Sequence, residues 1–213
     1  MSGATRRDAL RVAALAGGAL AVPALMRPAA ALAQDDDEAD LEDFLVMAIH
    51  VEQVAVLAYA TAVEAKDLDR DLKRTLEGFG EHEQLHANAM RSALDSLGLD
   101  PPDPPSDLAD TAALEGLEDA DDEGGLRSEL TKVMGGLERA KGVDELLELL
   151  LNVEDLQWIL YLGDTPVFES EDLLRTGAEI AACQAQHGVV LKAALGSPPA
   201  DSVADLTGDQ FGN

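Results

Sequence analysis

Aromatic side chains are scarce in this chain. Four Phe, two Tyr and one Trp make up 3% of its 213 residues. Strands favour aromatic and β-branched side chains, so a sheet protein is disfavoured. The hydrophobic fraction is 46%, much of it Ala and Leu, which lose little rotamer freedom in a helix. An all-α fold is therefore expected. Cys183 is the only cysteine, which excludes an intrachain disulfide; it is expected to act as a small buried hydrophobe. Basic residues are also few, with 15 Lys and Arg against 42 Asp and Glu, giving a net charge of -27. Such a surface repels nucleic-acid phosphates and anionic lipid heads, and it favours cations, metal ions among them.

A long hydrophobic run is missing too. The N-terminal apolar stretch from Val12 to Met26 is 15 residues long and is broken by Gly17, Gly18 and Pro23. A bilayer span needs about 20 apolar residues. The stretch follows Arg6 and Arg7, and Ala31-Leu32-Ala33 gives a small-x-small cleavage pattern before Gln34. Residues 1–33 therefore read as a twin-arginine export signal. Removal of that segment would leave no stable membrane span and a periplasmic, envelope or extracellular protein. Residues 34–40 are expected to be an acidic, disordered leader.

What is present is helical periodicity in four segments. The first, about 41–64, carries Phe44, Leu45, Ala48, Ala55, Val56 and Tyr59 on one face. The second, about 68–97, shows an apolar stripe through Leu72, Leu76, Phe79, Met90, Ala93 and Leu97. The third, about 143–162, places Leu147, Leu150, Leu151, Trp158 and Tyr161 together, with Trp158 read as core. The fourth, about 172–195, aligns Leu173, Gly177, Ile180, Leu191 and Ala194. The steps of four and three are those of helices packed nearly antiparallel. Between the second and third helices lies a long acidic crossover, 99–141, opened by Pro101, Pro102, Pro104 and Pro105. It contains a weaker helical patch from Leu126 to Ala140. A crossover of this length joins helices that run the same way. Residues 197–213 read as an irregular tail.

The two halves resemble each other. Glu52 precedes Tyr59 by seven, as Glu154 precedes Tyr161; His86 follows Glu83 by three, as His187 follows Gln184. A repeated helix pair explains this. These polar residues also interrupt the apolar seams. A buried unpaired carboxylate costs several kcal/mol, and a bound metal ion offsets that cost. Residues three apart share a helix face. Glu83 with His86, and Gln184 with His187, can therefore each hold an ion, completed by Glu52 and Glu154. Carboxylate and imidazole ligands suit iron or manganese. Tyr59 and Tyr161 lie two turns from the glutamates, as hydrogen-bond donors to them, as redox-active groups or as core packing. His50 and His82 lie off the seams and are expected at the surface.

At this point the chain resembles a ferritin-like domain of the exported bacterial kind. The resemblance rests on HVEQVAVLAYA at 50–60, GEHEQLHANAMRSALDSLG at 80–98, NVEDLQWILYLGD at 152–164 and IAACQAQHGVVLKAALG at 180–196. It implies a four-helix bundle over 41–196 with the long crossover between helices two and three. It also implies a di-metal site with Glu83 and His86 on the first ion, Glu154 and His187 on the second, and Glu52 and Glu154 bridging or capping. One position departs from the family pattern: Gln184 stands where Glu is expected. Gln is neutral and a poor bridge.

Three functions stay open on the sequence. The first is an iron or manganese protein that reacts with oxygen or peroxide. The second is a non-enzymatic envelope scaffold with a partial or lost site, which admits a homo-oligomer. The third is metal storage, which requires a cage.

Overall fold

The computed structural model describes residues 35–115, 117, 125–163 and 170–197. The proposed export signal, the tail beyond residue 197 and part of the crossover lie outside the described residues. Among the described residues five α-helices are formed: α1 Asp35–Ala62, α2 Arg70–Ser96, α3 Leu126–Arg139, α4 Val143–Gly163 and α5 Glu171–Ala194. A 3-10 turn spans Thr111–Leu114. Among the described residues there is no strand, as the shortage of aromatic residues and the abundance of Ala and Leu imply.

Local signals set the helix ends. Asp69 caps α2 by accepting from the backbone N–H of Asp71 and Leu72, and Ser170 caps α5 by accepting from that of Leu173. Each cap satisfies an otherwise orphaned donor. Gly98 and Gly196, just past α2 and α5, take φ of 82° and 88°, the left-handed conformation that closes a helix and that glycine adopts without Cβ strain. The first helix departs from expectation at its start. It begins at Asp35, inside the stretch expected to be a disordered leader.

The short connection between α1 and α2 makes them antiparallel neighbours, and α4 and α5 pair in the same way. Tyr59 reaches Glu154, and Phe44 packs edge-on against Tyr161 at 5.7 Å. The C-terminal half of α1 thus meets the middle of α4, and the N-terminal end of α1 meets the C-terminal end of α4, so the two run in opposite directions. It follows that α2 and α4 run the same way, as a long crossover requires.

The crossover is not a loose strap. Its α3 packs against α1 and α4, where Leu130 and Met134 bury with Val51, Val54, Leu114 and Leu117. The Pro102 carbonyl accepts from Arg91 Nη1 at 2.5 Å and from Gln53 Nε2 at 3.3 Å, which ties the proline segment to α1 and α2. With this cover, α1 buries nearly its whole circumference between Phe44 and Tyr59. That explains why Leu41–Ala62, although long and apolar enough to cross a membrane, is 67% buried within the protein over its most apolar window. It also corrects the expectation for His50, which is 1% exposed. Trp158, expected in the core, is only half-buried, because it lies off the stripe formed by Leu147, Leu150, Val153 and Tyr161.

The core falls into two apolar layers. One gathers Ala55, Tyr59, Ala62, Leu72, Leu76, Leu147, Leu150 and Leu191. The other gathers Phe44, Leu45, Ile49, Met90, Leu94, Tyr161, Leu173 and Ile180. Between them, at mid-bundle, sits a polar layer.

Candidate metal centre

Each of the four bundle helices feeds that layer. α1 contributes Glu52, α2 Glu83 and His86, α4 Glu154, and α5 Gln184 and His187. All six are buried, none more than 4% exposed. The helical spacing read from the sequence therefore does bring all six expected residues together.

The geometry centres on Glu83. His187 Nδ1 lies 3.0 Å from Glu83 Oε1 and 3.2 Å from Glu154 Oε1. On the other side His86 Nδ1 lies 3.6 Å from Glu52 Oε2 and 3.7 Å from Glu83 Oε2. Two ligand groupings result, Glu52–Glu83–His86 and Glu83–Glu154–His187, and the potential ligand atoms of each lie within 4.8 Å of one another. Glu83 is common to both, while Glu52 and Glu154, expected to bridge or cap, belong to one grouping each. Gln184 Nε2 donates to Glu83 Oε2 at 3.0 Å and meets His86 Nδ1 at 3.3 Å.

The tyrosines hold the outer carboxylates crosswise. Tyr59 on α1 donates its hydroxyl hydrogen to Glu154 on α4. Tyr161 on α4 interacts with Glu52 on α1. Burial and the neighbouring carboxylates push both phenols well up, so they stay protonated donors.

One contributor was missed. Gln157 is fully buried, and its Nε2 donates to Glu52 Oε2 at 2.8 Å and to Glu83 Oε2 at 2.7 Å. Its spacing from Glu154 is the signal: three residues on, one turn along the same face. His82 and Cys183 were misjudged. Both are half-buried, and His82 Nδ1 lies 3.0 Å from His187 Nε2, the opposite ring nitrogen from the one facing the carboxylates. Cys183 Sγ lies 3.4 Å from the same Nε2. His82 precedes Glu83 and Cys183 precedes Gln184, so the repeat itself held the signal. Phe79 stacks on His187 with ring centroids 3.9 Å apart.

Charge in the layer follows from burial and pairing. Burial, then repulsion from Glu83, pushes Glu52 up to about 8. Burial pushes Glu154 up to about 7 against the pull of His187. Burial also acts on Glu83, but His187 and His86 outweigh it and hold this carboxylate well below its usual range. Both histidines are raised, because their carboxylate and Cys183 neighbours outweigh desolvation. The layer thus approaches neutrality at pH 7 by retaining protons that a cation would replace.

The donor set fits a metal. Glu154 Oε2, Gln157 Oε1 and Gln184 Oε1 are buried acceptors with no hydrogen-bond partner. Buried acceptors are rarely left so, because each forfeits its hydration. Carboxylate and amide oxygens with two imidazoles match iron or manganese preferences.

A family model described as a ferritin-like domain matches residues 39–197, a span that contains all five helices except the first residues of α1. No match was found among curated proteins. None was found among solved structures.

Proposed function

Because this chain belongs to the ferritin-like domain family, we propose that it is an exported metalloprotein whose mid-bundle layer binds two iron or manganese ions for chemistry with oxygen or peroxide. The observation that carries this reading is the sharing of Glu83 between two buried ligand groupings. Glu83 would serve both ions, with Glu52 and His86 holding the first and Glu154 and His187 the second. Gln184 would offer its carbonyl oxygen, a neutral ligand where a second shared carboxylate would add charge. Bound metal would supply the redox couple. Tyr59 and Tyr161 fix the outer carboxylates, and the two apolar layers keep bulk water from the centre. Export rests on Arg6, Arg7 and the Ala31-Leu32-Ala33 pattern; a pathway that carries folded proteins suits a metal loaded before export.

One observation favours a second reading. The amides of Gln157 and Gln184 already donate to Glu52 and Glu83, so the layer is partly satisfied without metal. Under that reading the protein is a ferritin-like envelope scaffold.

Elemental analysis separates the two. Protein exported from cells supplied with iron and manganese is expected to carry close to two of these ions per chain. About one ion would restrict the site to Glu52, Glu83 and His86. None, with helical content intact, would establish the scaffold.

A further inference from the structure

The polar layer explains why six residues are buried, but it does not explain His82 and Cys183. Cys183 touches the layer only through imidazoles, those of His187 and His86, and His82 touches it through His187. They meet at the outer side of His187, where His82 Nδ1, Cys183 Sγ and His187 Nε2 form a third grouping within 4.8 Å. The edges of this triangle are 3.0 Å between the two nitrogens, and 3.4 Å and 3.7 Å from sulfur to His187 and His82. Around a tetrahedral zinc ion, with Zn–N of about 2.0–2.1 Å and Zn–S of about 2.3 Å, two nitrogens stand about 3.3 Å apart and a nitrogen and sulfur about 3.6 Å. The observed edges differ from these by about 0.3 Å or less.

We propose that His82, Cys183 and His187 form a separate, outer binding site for a thiolate-seeking divalent ion of the zinc type. Its chemistry differs from that of the inner layer. One thiolate and two imidazoles select zinc-like ions, whereas carboxylates select iron or manganese. Three protein ligands leave a fourth position open, and the half-buried His82 and Cys183 place it towards solvent. A water or small exogenous ligand would occupy it. Binding displaces the thiol proton of Cys183 and leaves His82 Nδ1 and His187 Nε2 without protons, each nitrogen giving its lone pair to the ion. The half-exposed His82 ring turns slightly for this, exchanging its hydrogen bond to His187 for a bond to the metal. Phe79 lies against both rings, with centroids 3.9 Å from His187 and 6.5 Å from His82, and limits how far they move. With the outer site alone filled, the ring of His187 keeps its proton on Nδ1, where it donates to Glu83 and Glu154; with an inner ion on Nδ1 as well, it gives up that second proton too and joins the two ions as an imidazolate.

The test uses the full chain stripped by chelator and titrated with cobalt(II), a spectroscopic substitute for zinc. A near-ultraviolet thiolate-to-cobalt charge-transfer band is expected, saturating at one ion. Cys183→Ser should abolish it, and His82→Ala should weaken cobalt binding there by about tenfold or more. Glu52→Gln, at the far side of the inner layer, should leave the band in place. A failed inner site therefore lowers total cobalt without touching the band, and the two proposals fail separately. In unaltered protein, zinc should slow alkylation of Cys183 by about tenfold or more, a readout that needs no variant to fold. A wild-type titration without the band, a band that survives Cys183→Ser, or alkylation indifferent to zinc would each overturn the outer site.

Discussion

The helix pairs α1–α2 and α4–α5 share one pattern and differ at two positions that matter. In the first pair the residue three before the histidine is Glu83; in the second it is Gln184. The residue before that is His82 in one and Cys183 in the other. The first difference removes a charge from the inner layer. Glu83 is held ionised by both histidines, while Gln184 donates an amide hydrogen to it. Two facing carboxylates would instead repel. The second difference places a thiol beside the carboxylate layer. The two helix pairs thus share a layout and differ in the groups they bring to it.

The two helix pairs depend on each other most strongly at Glu83. Glu83→Ala removes the one carboxylate that both pairs use and leaves His86 and His187 as under-compensated buried cations. Loss of a partner from a buried charged cluster costs about 3–5 kcal/mol, so chemical denaturation of the metal-free protein should shift by about that amount. Both inner ions should be lost. Retention of two ions per chain would remove Glu83 from the bridging role.

pH should act next most strongly. Glu52, Glu154, His86 and His187 are all raised in the folded state. The folded protein therefore holds protons that the unfolded chain releases, and stability falls as pH rises. For Glu52 and Glu154 the loss runs from near 4.5 to about 8 and about 7. The metal-free protein should be less stable at pH 8 than at pH 6. Metal-loaded protein should not follow, because ligands lose their protons on binding and metal affinity rises with pH. Parallel pH profiles with and without iron or manganese would contradict the assigned protonation. His50 acts at the acid end. Burial lowers it to about 4, so its contribution is present above 6.5 and is lost as pH falls towards 4.

Gln184→Glu makes the two pairs alike. Inner-site metal affinity should rise by about tenfold or more, the usual scale for a change in metal surroundings. The metal-free protein should lose about 1–3 kcal/mol, because a carboxylate then faces Glu83 where an amide donated. Isothermal titration and denaturation measure the two effects. An unchanged affinity would mean that position 184 is remote from the ion.

The smallest effect is expected at the tyrosines. Tyr59→Phe deletes the bond to Glu154 and should cost about 1–2 kcal/mol. Iron or manganese should still bind, more weakly at the His187 side.

Much of this was legible in the chain. Polar residues recurring in apolar seams marked the six inner residues, and the structure gathers all six. The amphipathic α2 and α5 stood within two residues of their observed ends, since a cap and a following glycine act locally. The burial of His50 was not legible in the same way. α1 is polar or apolar on a given side only relative to what covers it, and α3 arrives from 64 residues beyond Ala62 in sequence.

The sequence by itself determined an all-helical bundle, its repeated pair and the residue types of the inner layer, because helical periodicity and capping are properties of neighbouring residues. Only the tertiary structure decided that Glu83 is shared, that Tyr59 and Tyr161 cross to the opposite glutamates, and that Cys183 meets His82 and His187. Those facts depend on the rotation and register of one helix against another, which packing across the whole core sets.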